Sequence, residues 1–88
     1  EHNIALLFLD LDGFKAVNDT YGHQTGDELL IYIAKSITSR LRKNDTVSRL
    51  GGDEFTIILN DIQSTQKALE IAKNIIKDFH PNLAISMY

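Results

Sequence analysis

Apolar and polar positions in the first half of the chain alternate between strand and helix patterns. The continuous apolar run from Ile4 to Leu9 predicts a strand buried on both faces, in the middle of a sheet. Residues 10–25 predict a long polar loop with a short helical turn near 13–20. A capping-box pattern at Thr25 and Glu28, followed by apolar residues at helical spacing, predicts a helix to about Arg42.

The second half predicts a hairpin, a helix and a final strand. Strand patterns at 46–50 and 55–59 flank the turn Gly51-Gly52-Asp53-Glu54. Ser64 is a suitable N-cap for the helix that follows, and Pro81 ends that helix. The apolar face of this helix comprises Ala68, Leu69, Ala72, Ile75, Ile76 and Phe79. Residues 83–87 predict the last strand.

This order of elements predicts an α+β fold of the ferredoxin-like βαββαβ type. Such a fold has one antiparallel sheet with helices on one face. A chain of 88 residues forms one domain, so we assign 1–88 to a single domain core.

Composition excludes several classes of protein. With 43% hydrophobic and 24% charged residues the chain is typical of globular proteins rather than disordered ones. The net charge of −3 disfavours nucleic-acid binding through bulk charge. Because there are no cysteines, neither a disulfide framework nor a thiolate metal site can form. The chain does not begin with Met, and we expect it to be a piece of a longer protein.

Carboxylates occur where two predicted strands can meet. Asp10 ends the first strand with Asp12 two residues on, and Asp53 and Glu54 lie in the hairpin turn. Taken singly, each is an ordinary solvated acid. If the strands lie side by side the carboxylates converge and repel one another, and a hard divalent cation relieves that repulsion. Mg²⁺ commonly takes one or two carboxylates together with substrate phosphates.

Segment 14–27 and the two glycines are suited to binding a nucleotide. An Asn together with an Asp can recognise guanine, and Lys15 with backbone N–H groups suits phosphates. Gly51-Gly52 fits a turn with positive φ and also a close approach of a nucleotide to the backbone. Packing under the loop is the favoured role for Phe14, and a hydrogen-bonded loop position is favoured for His23.

Together these residues form a set of motifs found in one known family. The chain resembles the GGDEF domain of diguanylate cyclases over essentially its whole length. The motifs are Leu9-Asp10-Leu11-Asp12-Gly13-Phe14-Lys15, Asn18-Asp19, Gly22-His23, Gly26-Asp27 and Arg49-Leu50-Gly51-Gly52-Asp53-Glu54-Phe55.

The resemblance implies a fold like that of nucleotide-cyclase and polymerase palm domains. It also implies the reaction that the family catalyses. Two GTP molecules condense to cyclic di-GMP and release two pyrophosphates, with one GTP held by each domain of an antiparallel homodimer. Asp10 and Glu54 would bind Mg²⁺ or Mn²⁺, assisted by the Leu11 carbonyl. Asp53 would lie at the metals and help to deprotonate the attacking 3′-hydroxyl, so that Asp53 and Glu54 are the expected catalytic residues.

The resemblance also assigns substrate and regulatory residues. Asn18 and Asp27 would contact guanine. The phosphate side would be lined by Phe14, Lys15, Gly51 and Gly52, and the site would be supported by Arg49 and His23. Arg42 and Asp45 match an inhibitory site that binds the product. The alternative for this pair is a C-terminal helix Arg favoured by the dipole, followed by a loop Asp.

Domains of this family are nearly twice as long, and the helix whose basic residues help to hold the triphosphate lies in the part that is missing. We therefore expect weak or no activity from these 88 residues alone. We expect a cytoplasmic domain, with the cytoplasmic part of a membrane-anchored protein as an open alternative, and sensor or phosphodiesterase domains in the parent chain.

The alternative function is a non-catalytic module that binds GTP or cyclic di-GMP and regulates a partner domain. An RNA-recognition domain shares the element order but needs aromatic and basic residues on its central strands. Strand 55–59 lacks that pattern, and no nucleic-acid partner is expected.

Overall fold

The computed structural model describes residues 3–11, 13–77 and 82–88. Its elements are β1 (Ala5–Asp10), α1 (Phe14–Tyr21), α2 (His23–Arg40), β2 (Thr46–Gly51), β3 (Glu54–Leu59), α3 (Thr65–Ile75) and β4 (Asn82–Met87). The four strands form one sheet in the order β2-β3-β1-β4, and each neighbouring pair is antiparallel. Each helical crossover skips one strand, which confirms the predicted ferredoxin-like topology.

The core lies between the helices and one face of the sheet. Alternate residues of the two central strands point into it because successive side chains of a strand face opposite sides. These residues are Ala5, Leu7, Leu9, Phe55, Ile57 and Leu59. The helices contribute Leu30, Ile33, Ile37, Ala68, Ala72 and Ile75 to the same cluster.

The prediction that β1 is buried on both faces is wrong. Leu6, Phe8 and Asp10 occupy the other face of the sheet, where Phe8 is 41% exposed. Ile58 of β3 is 37% exposed on the same face. We call this side of the sheet the open face. The prediction failed because a continuous apolar run looks the same whether the second face of the strand is buried in a core or is apolar and partly exposed.

The short helical turn predicted near 13–20 is present as helix α1. Half of the predicted loop at 10–25 is α1, and α2 starts at His23 after Gly22, whose φ of 92° separates the two helices. Thr25 therefore lies inside the first turn of α2, so the predicted capping box does not form. At the other end α2 stops at Arg40, two residues before the predicted end.

The predicted start of the last helix is confirmed. The Ser64 hydroxyl accepts a hydrogen bond from the backbone N–H of Lys67 at 3.1 Å, which satisfies one of the free donors of the first turn of α3. The predictions for Phe79 and Pro81 lie outside the described residues. Within the described ranges, no helix has the length and apolar character that a bilayer crossing requires.

Candidate functional site

The site begins with two carboxylates on neighbouring strands. Asp10, the last residue of β1, is registered directly opposite Glu54, the first residue of β3. Residues opposite each other in an antiparallel pair project to the same face, with Cβ atoms about 4.5–5.5 Å apart. Both acids therefore stand at one end of the open face, as the convergence of the two strands predicted.

The hairpin turn next to these acids is held from both sides. Gly52 has a φ of 52°, a left-handed conformation that glycine adopts without strain. The Arg49 Nε donates a hydrogen bond to the Gly52 carbonyl at 3.0 Å, which supports the predicted role of Arg49 in steadying the turn. The backbone N–H of Leu11 donates to the Asp53 carbonyl at 3.1 Å, so the end of β1 also fixes Asp53.

A cleft of about 400 Å³ lies on the open face beside the two acids. Asp10 and Glu54 are its charged lining residues. The remaining lining residues are Phe8, Leu9, Leu50, Phe55 and Ala84. The cleft thus combines an apolar wall with a concentrated negative charge, and that charge attracts a cation.

The donor set suits a hard divalent cation that completes its shell with other ligands. Within residues 3–11, 13–77 and 82–88, no group of three His, Cys, Asp or Glu side chains is arranged to hold a metal ion. Asp12 lies outside those ranges. Mg²⁺ does not need a complete protein cage, because it usually keeps water and binds one or two carboxylates together with substrate phosphates. Asp10 and Glu54 meet that lower requirement.

One of the two residues predicted to contact guanine lies at a close contact between α1 and α2, against the residue that precedes the other in the chain. A Cβ atom built on Gly26 would lie 1.8 Å from Asn18 Oδ1, so the Asn18 side chain lies against the backbone of Gly26. Asp27 follows Gly26 directly and is exposed. Asn18 Oδ1 is buried and accepts no hydrogen bond from the residues that the structure describes.

Three further predicted residues lie near the start of α1 and α2. Phe14 is buried in the hydrophobic core, which is the packing role favoured from the sequence. Lys15 is exposed and forms an ion pair with Asp19, with 3.2 Å between Nζ and Oδ2. His23 is the exposed first residue of α2.

Arg42 and Asp45 bind each other. Arg42 Nε donates to Asp45 Oδ2 at 2.7 Å, and Nη2 donates to Oδ1 at 2.8 Å, so the pair is bidentate. The Asp45 side chain is completely buried and also accepts from the backbone N–H groups of Arg42 and Asn60. Arg42 Nη2 donates a further bond to the Asn60 carbonyl at 2.6 Å.

We call Arg42, Asp45 and Asn60 the loop clamp, since they join the loop before β2 to the end of β3. Burial raises the pKa of Asp45, but the hydrogen bonds from Arg42 and Asn60 outweigh burial and leave that pKa below its ordinary value. The hydrogen bond to Asp45 raises the pKa of Arg42. Sequence reasoning missed Asn60, because an Asn after a strand gives no sign of a partner fifteen residues earlier.

Comparisons with a family description and with individual known proteins indicate the same family. Residues 1–87 match the family described as diguanylate cyclase, GGDEF domain. The bifunctional diguanylate cyclase/cyclic di-GMP phosphodiesterase MucR of Pseudomonas aeruginosa is 43% identical over 88 residues, which are 100% of this chain and 13% of MucR. The chain belongs to the GGDEF family of diguanylate cyclases.

Solved structures agree with this assignment. The crystal structure of the GGDEF domain of TpbB (YfiN) from Pseudomonas aeruginosa has a TM-score of 0.91 and 40% identity, covering 99% of this chain and 63% of that one. The GGDEF domain of DgcB from Caulobacter crescentus, solved in complex with c-di-GMP, has a TM-score of 0.77 and 27% identity, covering 98% of this chain and 57% of that one. The chain therefore spans less than two thirds of these solved domains.

Proposed function

We propose that this chain is the core of a diguanylate cyclase domain that condenses two GTP molecules into cyclic di-GMP. The observation that carries the proposal is the registration of Asp10 opposite Glu54 in the lining of the cleft, beside the glycine turn that holds Asp53. Membership in the diguanylate cyclase family and the cyclic di-GMP complex of DgcB support the same reaction.

Asp10 and Glu54 would hold Mg²⁺ or Mn²⁺, with the Leu11 carbonyl as a further oxygen ligand. The ion, when bound, supplies neutralisation of the triphosphate charge. Asp53 takes the proton from the 3′-hydroxyl of one GTP. The freed oxygen forms a bond to the α-phosphorus of the other GTP, and the bond from that phosphorus to the pyrophosphate oxygen breaks. The chain's main contribution is positioning, since phosphoryl transfer needs little covalent work from protein.

Asn18 and Asp27 would recognise guanine, and the contact of Asn18 with Gly26 supports this role because Gly26 directly precedes Asp27 in the chain. The exposed Lys15 ammonium and the backbone of Gly51 and Gly52 would contact phosphates. Because one chain supplies one guanine site, two chains must face each other for condensation, and we propose a homodimer as the catalytic unit.

Product inhibition at Arg42 and Asp45 is part of the same proposal. Arg42 already forms a bidentate pair with Asp45, and the Asp45 carboxylate is fully buried. Cyclic di-GMP would therefore bind through the exposed part of the Arg42 guanidinium, or would displace Arg42 from Asp45 at a cost to the loop clamp.

We also propose the setting of the domain. A supply of GTP favours the cytoplasm, and the bifunctional name of MucR favours a parent protein with additional domains such as a phosphodiesterase.

The test is synthesis of cyclic di-GMP from GTP and Mg²⁺, followed by chromatography. Two chains are compared: these 88 residues, and the same chain extended past Tyr88 with the segment that follows in the TpbB domain. We expect product from the extended chain and little from the shorter one.

Asp53→Asn should abolish synthesis, while Glu70→Gln, at an exposed acid of α3 outside the site, should leave it unchanged. If the extended chain binds GTP or cyclic di-GMP tightly but forms no product, the proposed enzymatic function is refuted and the non-catalytic regulatory module is favoured.

A further inference from the structure

Gly26 occupies a position in α2 where glycine needs a specific reason. It is buried in the interior of an 18-residue helix, and glycine is less favourable than alanine at such a position. Its φ is not in the left-handed region, so the backbone conformation does not require glycine. The reason must therefore lie in what a side chain would contact.

The group that a side chain at Gly26 would displace is the Asn18 amide. A Cβ atom would stand 1.8 Å from Oδ1 and 2.9 Å from Cγ of Asn18, and 3.3 Å from Cζ of Phe14. Exchange of the amide oxygen and nitrogen does not relieve this overlap, since both atoms have similar size. The Phe14 ring needs to yield only a few tenths of an ångström, but the Asn18 amide must leave its place.

The Asn18 amide has little else to keep it there. Its buried Oδ1 accepts no hydrogen bond within the described part of the chain, so packing against Gly26 fixes its position. A side chain held by packing alone rotates at low cost when the packing surface changes. An added methyl group should therefore move the amide without unfolding the helix pair.

We propose that Gly26 is a positioning residue for guanine recognition, because the missing side chain fixes where the Asn18 amide stands. The proposal rests on the guanine role of Asn18 given above. The contact between α1 and α2 then sets the place of the Asn18 amide next to the residue that precedes Asp27.

A purely structural role for Gly26 predicts a different result. If the glycine only allows the helices to approach each other, Gly26→Ala destabilises the chain and weakens the binding of all nucleotides equally. If it positions Asn18, Gly26→Ala keeps the fold, helped by the better helix propensity of alanine, and selectively weakens binding of guanine nucleotides.

The experiment measures the affinity of the chain for GTP and for ATP by calorimetric titration. The two bases differ at the atoms read by hydrogen bonds, since guanine presents an acceptor oxygen where adenine presents an amino group. Four proteins are compared with the unsubstituted chain: Gly26→Ala, Asn18→Ala, the double variant, and Thr25→Ala as a matched control at the neighbouring exposed position.

We expect Gly26→Ala to weaken GTP binding roughly tenfold, the loss of about one hydrogen bond, and to leave ATP binding within about twofold. Asn18→Ala should cause a similar loss, and the double variant should lose no more than Asn18→Ala alone, since the two substitutions act through one group. Thr25→Ala should bind both nucleotides like the unsubstituted chain. In the NMR spectrum of the free protein, the side-chain amide resonances of Asn18 should shift in Gly26→Ala.

The outcomes separate this inference from the proposed function. If the unsubstituted chain binds GTP no better than ATP, the guanine role of Asn18 is refuted and the inference falls with it. If the unsubstituted chain prefers GTP and Gly26→Ala keeps that preference, only the positioning role of Gly26 is refuted. The same holds if the losses of GTP affinity in the two single variants add up in the double variant. Unchanged Asn18 amide resonances would also refute it.

Discussion

The loop clamp is the most tightly bonded polar cluster among the described residues, and removing its carboxylate tests whether it stabilises the fold. Asp45 accepts four hydrogen bonds: two from the Arg42 guanidinium and one each from the backbone N–H groups of Arg42 and Asn60. Asp45→Ala leaves all four donors without their acceptor. Asp45→Asn keeps the shape of the side chain but removes the negative charge that Arg42 requires.

The expected cost follows from burial on the two sides of the pair. Breaking a buried ion pair by removing one partner costs about 3–5 kcal/mol. The Asp45 side chain is fully buried, but the Arg42 side chain is 41% exposed and becomes hydrated when its partner is lost. We therefore expect Asp45→Ala to lower the free energy of unfolding by about 2–3 kcal/mol. That loss is large for a chain of 88 residues, whose free energy of unfolding is expected to be roughly 4–13 kcal/mol in all.

Urea unfolding followed by circular dichroism measures this change at pH 7, with Glu70→Gln on α3 as the control for loss of an exposed acid. An Asp45→Ala variant that unfolds within about 0.5 kcal/mol of the unsubstituted chain would refute the reasoning, because surface substitutions have effects of that size. Arg42→Ala should cost at least as much as Asp45→Ala, since it leaves the fully buried Asp45 carboxylate without its counter-charge and with only two backbone donors.

The pH dependence of the same measurement gives a second check. The pKa of Asp45 in the folded chain lies below its ordinary value of 3.8, so the carboxylate contributes stability above about pH 4. That contribution is lost as the pH falls below 3.8 and through the lower folded-state pKa. The difference in stability between the unsubstituted chain and Asp45→Asn should shrink over that window; a difference that stays constant would contradict the assigned charge.

Three further predictions concern the cleft, the core and a helix cap. Glu54→Gln should weaken Mn²⁺ binding at least about tenfold, measured by paramagnetic broadening of the β1 and β3 amide resonances, while Glu70→Gln on α3 should not. Ile37→Ala, in the core, should cost about 2–5 kcal/mol in urea unfolding, while the exposed Ile31→Ala should cost less than about 0.5 kcal/mol. Ser64→Ala should lower the free energy of unfolding by about 1 kcal/mol through loss of the α3 cap, and no change would show that the cap is not formed in solution.

Local features of the sequence predicted the elements well where one physical signal dominated. Ser64 has the hydroxyl that a helix start needs, and Gly51-Gly52 supplies the positive φ that the hairpin turn requires. The capping-box prediction at Thr25 failed because α1 and α2 share Gly22 as their junction, and the start of α2 was fixed there rather than by side-chain chemistry.

The sequence by itself determined the order of strands and helices, the family and the residue types of the site. The tertiary structure decided which face of β1 is covered, that Asn60 completes the loop clamp, and that Gly26 supports Asn18. The physical reason is distance along the chain. Periodicity and capping act within a few residues, whereas burial, a shared carboxylate and the close packing of Asn18 against Gly26 depend on segments that meet only when the sheet and helices pack together.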